Sequence, residues 1–199
     1  EGRLKDITYV KNVTSFYSNV LNNLISKHPG KYSRSSLGRC TYNFQPDLNK
    51  TFNRGFTSYF LKGRHHDIFS PNTPKAIGEY VGTVKEIGRG YFKISSLSSF
   101  ANGDGLCYLT ADKMLEGFRV NKAEGNKLFP LQMPLGLRTG MAIYRNHDHD
   151  FEKILARQSS IRKINIIISI LITSSGFEII AEVPGIYTVK QNYSIEHQI

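Results

Sequence analysis

The chain has 199 residues, 40% hydrophobic and 12% aromatic with only 7 prolines, which is enough apolar surface to offset chain entropy and excludes extended disorder. Its 26 Lys and Arg against 16 Asp and Glu leave a formal charge of +10, which favours polyanionic partners such as nucleic acid through release of condensed counterions. The basic residues are spread along the chain rather than gathered in a run, so a solvated basic surface accounts for the charge equally well.

In chain order, apolar residues at Ile7, Val10, Val13, Phe16, Tyr17, Val20, Leu21, Leu24 and Ile25 are spaced as on one face of an α-helix. Asp6 or Thr8 is the expected cap, and His28-Pro29-Gly30 ends the helix. So wide an apolar face needs a partner, supplied by the rest of this chain or by a neighbour outside it. Residues 31–74 read as an irregular linker containing Ser33-Arg34-Ser35-Ser36, Asn49-Lys50-Thr51-Phe52-Asn53-Arg54-Gly55-Phe56 and Gly63-Arg64-His65-His66. A loop of that length is functional or pinned by specific contacts.

Beyond Pro74 short strands are punctuated by glycine. Residues 79–87 and 91–97 flank Gly88-Arg89-Gly90, a hairpin signature, and Asn102-Gly103-Asp104-Gly105 turns the chain into a strand over 106–109. Strands at 118–122 and 128–133 flank Ala123-Glu124-Gly125-Asn126, and another follows at 141–145. Six strands at this spacing predict a small closed barrel, which removes exposed edges. Asp148 or Asp150 then caps a short helix running through Ala156, and residues 162–172, 177–183 and 186–190 begin a second β meander. The most apolar stretch, 164–172, contains Asn165 and Ser169 and falls far short of the roughly 20 residues of a membrane span. No signal-peptide pattern opens the chain. A soluble cytoplasmic protein with no membrane partner is expected.

Cys40 and Cys107 are far apart and form no CxxC pair, so no zinc ribbon or cluster motif can be read, and both are taken as free thiols. His147-Asp148-His149-Asp150 offers metal-competent side chains. Alternate residues in a strand-to-helix turn rarely converge on one ion, however, and the reading preferred is a cap or a surface turn. His65-His66 reads as exposed loop histidines, and Asp104 between two glycines as a backbone-determined turn. Asn53-Arg54-Gly55-Phe56 carries more: asparagine to bond backbone, a forked guanidinium, a permissive glycine and flanking aromatics make a compact recognition turn. Pinning of the linker to a barrel is favoured for it. The alternative is that Arg54 holds a phosphate or carboxylate while Phe52 or Phe56 offers a stacking face. No Ser/His/Asp or Cys/His set and no paired acids stand at usable spacing, which argues against catalysis by this chain alone.

Glu1-Gly2-Arg3-Leu4-Lys5, followed by Tyr9-Val10 and the amphipathic helix, resembles the end of the catalytic barrel in peptidase family U32, the collagenase-like proteases. Phe52-Asn53-Arg54-Gly55-Phe56-Thr57, Gly78-Glu79-Tyr80-Val81-Gly82-Thr83-Val84, Gly103-Asp104-Gly105 and Tyr144-Arg145-Asn146 look like the accessory region that follows that barrel in longer members. The resemblance implies an α/β-barrel enzyme of which this chain holds only the last helix and the downstream β region. Some members are regarded as proteases. Others look like hydroxylases of ribosomal or transfer RNA, or of a quinone precursor, using an iron–sulfur cluster held by cysteines upstream of the Glu-Gly-Arg motif. Neither Cys40 nor Cys107 inherits a ligand role, so no cofactor is expected in this chain, with a cluster expected only in the parent's barrel. Arg3 and Lys5 resemble the mouth of that barrel. The strands over 79–145 are also similar in pattern to domain II of translation elongation factors, a fold-level analogy.

The expectation is therefore a mainly β chain with an N-terminal helix (1–30), a linker (31–74), a closed β-barrel (75–158) and a partial second β region (159–199). Functionally it reads as a non-catalytic accessory or substrate-binding region of a collagenase-like U32 protein. Its candidate contact residues are Arg3, Lys5, Asn53, Arg54 and Phe56, and its partners are the parent's catalytic barrel and RNA in preference to a protein substrate. The alternatives are part of a protease acting on collagen-like or other proteins, and a structural docking or dimerisation domain.

Overall fold

The computed structural model describes residues 5–64, 66, 68–70 and 73–195. Along the chain α1 (Ile7–Lys27) is followed by β1 (Arg39–Tyr42), a 3-10 turn (Leu48–Lys50), β2 (Glu79–Gly88), β3 (Tyr91–Ser95), β4 (Gly105–Leu109), β5 (Leu115–Glu124), β6 (Lys127–Pro130) and β7 (Ala142–His147). Then come α2 (His149–Ala156), β8 (Ser160–Lys163), β9 (Ile167–Thr173), β10 (Gly176–Val183) and β11 (Tyr187–Ser194). Among the described residues no helix is long and apolar enough to cross a membrane. The chain divides into two compact units, Glu1–Asn22 with Asn43–Ser159, and Asn23–Tyr42 with Ser160–Ile199.

Asp6 starts α1, its carboxylate accepting the Tyr9 amide and the Thr8 hydroxyl, each at 2.8 Å. The helix ends ahead of Pro29, with the His28 amide donating to the Leu24 carbonyl at 3.1 Å. The face it buries is not the apolar one. Thr8, Asn12 and Ser15 are buried, while Ile7, Val10, Tyr17, Val20, Leu21 and Leu24 are between 40% and 77% exposed. At 3.6 residues per turn the two sets lie on opposite sides of the cylinder. The first unit therefore leaves Ile7, Val10, Tyr17, Val20 and Leu21 of the apolar stripe uncovered. Polar anchors decide the orientation: the Asn12 amide donates to the Asp47 carbonyl (2.7 Å) and the Thr51 hydroxyl (3.1 Å) and accepts from the Asp47 amide (3.0 Å). Lys11 donates to the Leu155 and Arg157 carbonyls, capping the C-terminal end of α2.

In the first unit six antiparallel strands close into a barrel in the order β2-β3-β6-β5-β4-β7, with β7 returning to β2. Inward alternation fills it with Val81, Val84, Phe92, Ile94, Leu106, Tyr108, Val120, Leu128, Leu137 and Ile143. Register shifts at Tyr80/Gly82, Val84/Glu86, Gly105/Leu106 and Val120/Lys122 supply the bends a small barrel needs to close. Gly82 is required at one of them: its φ is +139°, and a β-carbon there would run into the Ser95 carbonyl.

The second unit holds two sheets, the β1–β8 pair and the meander β9-β10-β11. The stretch expected as one strand over 162–172 is two, because β8 takes a partner from the presumed linker (Arg39 opposite Lys163, Tyr42 opposite Ser160). In the meander the register places Ile168, Ile170 and Ile172 beside Ala181, Ile179 and Phe177, and these beside Val189, Gln191 and Tyr193. One face is thus apolar, with Phe177 stacked on Tyr193, and its outer strands are exposed.

Candidate functional site

The segment after β1 is fixed residue by residue. Asp47 caps the 3-10 turn by accepting the Asn49 amide at 2.9 Å, and Thr51 is buried against Asn12. Asn53, also buried, donates to the Asn49 and Thr51 carbonyls at 2.9 and 3.0 Å and accepts the Gly55 amide at 3.2 Å, while its own carbonyl takes the Ile77 amide. Gly55 then adopts φ +97°, a conformation that side chains disfavour. The Asn53 side chain donates and accepts within residues 49–55 and so holds the turn in shape.

The next residues point the other way. Arg54 is exposed, its guanidinium 5.9 Å from the centre of the Phe52 ring, and Phe56 is 63% exposed. Arg54 and Phe56 line a concavity of about 550 Å³ together with Ile68 and Phe69. Ile68 and Phe69 also line a neighbouring concavity of about 450 Å³, whose wall adds Phe60, Arg64 and His66. Two guanidinium groups and three phenyl rings thus line a recess of two adjoining concavities that share Ile68 and Phe69, and no carboxylate lines it among the described residues. The sequence pointed to Arg54 and Phe56 but not to Phe60, Arg64 and Phe69; the only signal for those was the recurrence of aromatics through a polar segment. Lys5 is not part of the recess and lies 5.5 Å from the Tyr9 ring centre. Arg3 and His65 fall outside the described residues.

The other quoted motifs meet around one buried guanidinium. Arg145 on β7 donates to Asp104 (3.4 Å), to Glu79 (2.9 Å) and to the Ser99 carbonyl (2.9 Å), and forms an ion pair with Asp148 at 3.2 Å. Asp104 is fully buried and also accepts the Ala101 and His149 amides, so it is a charged anchor and not just the backbone turn expected of Gly-Asp-Gly. Asp148 caps α2 through the Phe151 amide and receives Lys50 at 2.7 Å. Burial alone would raise the Asp148 carboxyl, but the bonds from Lys50 and Phe151 and the charge of Arg145 outweigh it and hold it below its ordinary value. Burial likewise disfavours the charged Arg145, and its bond to Glu79 with the surrounding carboxylates reverses the sign and raises its pKa. The cluster ties the linker, the barrel and α2 together.

Both cysteines are free thiols. Burial pushes Cys107 up to about 12, and it donates to the Ile77 carbonyl, so it is a protonated core group that does not fit a metal-thiolate role. Among the described residues no group of three or more His, Cys, Asp or Glu is placed to hold a metal ion.

Fold and recess together define a barrel-bearing β protein with an aromatic, cationic surface turn. Residues 1–70 match the family model of peptidase family U32. The chain is also similar to the 23S rRNA 5-hydroxycytidine C2501 synthase of Escherichia coli (strain K12), 37% identical over 172 residues, which cover 82% of this chain and 26% of that protein. The chain thus spans about a quarter of that relative's length. No solved structure matches.

Proposed function

We propose that this chain is the RNA-contacting accessory region of a U32-family protein, joined through α1 to the family's catalytic barrel, with the reactive groups held by that barrel. The observation that carries the reading is the recess in which Arg54 and Arg64 stand beside Phe56, Phe60 and Phe69. Cations to follow a phosphate backbone and rings to stack unpaired bases are the two components of single-strand recognition. The likeness to an rRNA-modifying enzyme and the charge of +10 point to the same class of partner. Asn53 shapes the turn, Arg54 holds phosphate and Phe56 stacks a base. Lys5 belongs with the barrel end and not with this recess.

Binding of a fluorescent single-stranded RNA to the chain, titrated at several salt concentrations, tests this. Affinity is expected to fall linearly with salt on logarithmic axes, and Phe56→Ala with Phe69→Ala to weaken binding by about 1–3 kcal/mol per base unstacked. Binding that ignores both salt and these substitutions refutes it.

A docking role is favoured by a second observation, the apolar stripe of α1 turned outward. On this reading Val10, Tyr17, Val20, Leu21 and Leu24 pack on the catalytic barrel. Leu21→Asp with Leu24→Asp is expected to abolish association with a separately produced U32 catalytic barrel in analytical ultracentrifugation while leaving the chain folded. Unchanged association would place the contact elsewhere.

A further inference from the structure

Among its described residues the second unit carries more cations than carboxylates. Its described cations are Lys27, Lys31, Arg34, Arg39, Arg162, Lys163 and Lys190, against the carboxylates Glu178 and Glu182 on β10. Three of the cations, Arg34, Arg39 and Lys163, line a cleft of about 780 Å³, and no carboxylate lines it among the described residues. None of the three makes an ion pair among the described residues. Unpaired like charges side by side repel one another. The arrangement is nonetheless built. Arg39 and Lys163 are opposite each other in the β1–β8 register, and Arg162 donates to the Leu37 carbonyl and Ser36 hydroxyl, holding the 36–38 segment in place. Gly38 has φ +80°, and a β-carbon there would lie 2.6 Å from the Lys163 carbonyl, so the close approach of the two walls depends on that glycine. The cleft also has an apolar side, formed by Leu37, Ile164, Val183 and Ile186.

We propose that this cleft is a second RNA site, in which Arg34, Arg39 and Lys163 bind the phosphates of an unpaired strand while bases lie against the apolar wall. The combination decides the class of ligand. Three unneutralised cations call for a polyanion, and the apolar side has no complement in a chain of carboxylates but fits the faces of bases. This deepens the RNA reading above and rests on it. It adds a contact, in the other unit, to the one made by the Arg54 turn.

The test compares a 12-nucleotide oligouridylate and polyglutamate of similar charge as probes for the native chain, for Arg34→Ala/Arg39→Ala/Lys163→Ala, and for Arg39→Lys alone. The cleft side chains are at least partly exposed, and an unchanged thermal melt of the triple variant establishes that it is folded. Expected are a loss of roughly tenfold in oligouridylate affinity for the triple variant and a salt slope shallower by about 2, at about 0.7 per phosphate contact on a single strand. Near-native binding is expected for Arg39→Lys. If the native chain binds oligouridylate and the triple variant does so with equal affinity and slope, the cleft is not an RNA site although the chain binds RNA. Equal affinity for polyglutamate likewise overturns the assignment. If the native chain binds no oligouridylate at any salt, both the cleft and the wider RNA reading fall.

Discussion

Arg145→Ala is expected to destabilise the first unit by roughly 3–5 kcal/mol, the range for removing one partner of a buried ion cluster. The guanidinium bonds three carboxylates, of which Asp104 is fully buried and Asp148 and Glu79 are largely so. Without it their negative charges remain in a poorly solvated site with only Lys50, itself 25% exposed, to offset them. Two of the carboxylates also hold backbone: Asp104 the Ala101 and His149 amides, Asp148 the start of α2. The damage should therefore spread from β7 into the 99–105 turn and the helix. Arg145→Lys is expected to recover only part of the loss, because a single ammonium cannot reach the groups that the planar fork serves together. Lys50→Ala removes a partly exposed partner and should cost less than about 1 kcal/mol. Urea unfolding followed by circular dichroism measures all three. An alanine variant as stable as the native chain would mean that the carboxylates take up protons or water at little cost, and that the cluster is not what fastens α2 to the barrel.

That cluster marks the boundary of what the sequence made legible. The length and end of α1, the Gly88-Arg89-Gly90 hairpin, the closed barrel and the cap at Asp148 all follow from patterns a few residues long: a period near 3.6, a period of 2, a glycine at a turn, an acid before a helix. The contacts that define how these pieces join span 41 residues from Asp104 to Arg145 and 98 from Lys50 to Asp148, and no local period carries information over that distance. The β1–β8 pairing escaped for the same reason, since Arg39–Tyr42 has no alternation of its own to announce a strand and owes its order to a partner some 120 residues on. The recess was half visible. Arg54 and Phe56 stood out because glycine and asparagine beside them signalled a tight turn, whereas Phe60, Arg64 and Phe69 join them only through the path of the loop.

The outward-facing stripe of α1 gives the second large effect. Asn12→Leu places a better helix former at a fully buried position of a long helix, and on propensity and burial alone it should stabilise. The expected result is the reverse, a loss of roughly 2–4 kcal/mol, because the substitution leaves the Asp47 amide, the Asp47 carbonyl and the Thr51 hydroxyl facing a methyl group; buried polar groups without partners cost about 1–3 kcal/mol each, reduced here where water reaches the edge of the site. Asn12→Asp, which keeps the acceptor for the Asp47 amide but loses the donor, should fall between. Unfolding curves give the magnitude, and amide hydrogen exchange at Asp47 gives the location, since protection there depends on the Asn12 side-chain oxygen. The same three bonds are what oppose rotation of the helix about its axis. If they are as strong as this, the apolar stripe is held outward by the polar face and is available to a partner. Stabilisation by leucine would instead mean that the helix is free to roll its apolar side onto the linker, and that its exposed stripe needs no partner.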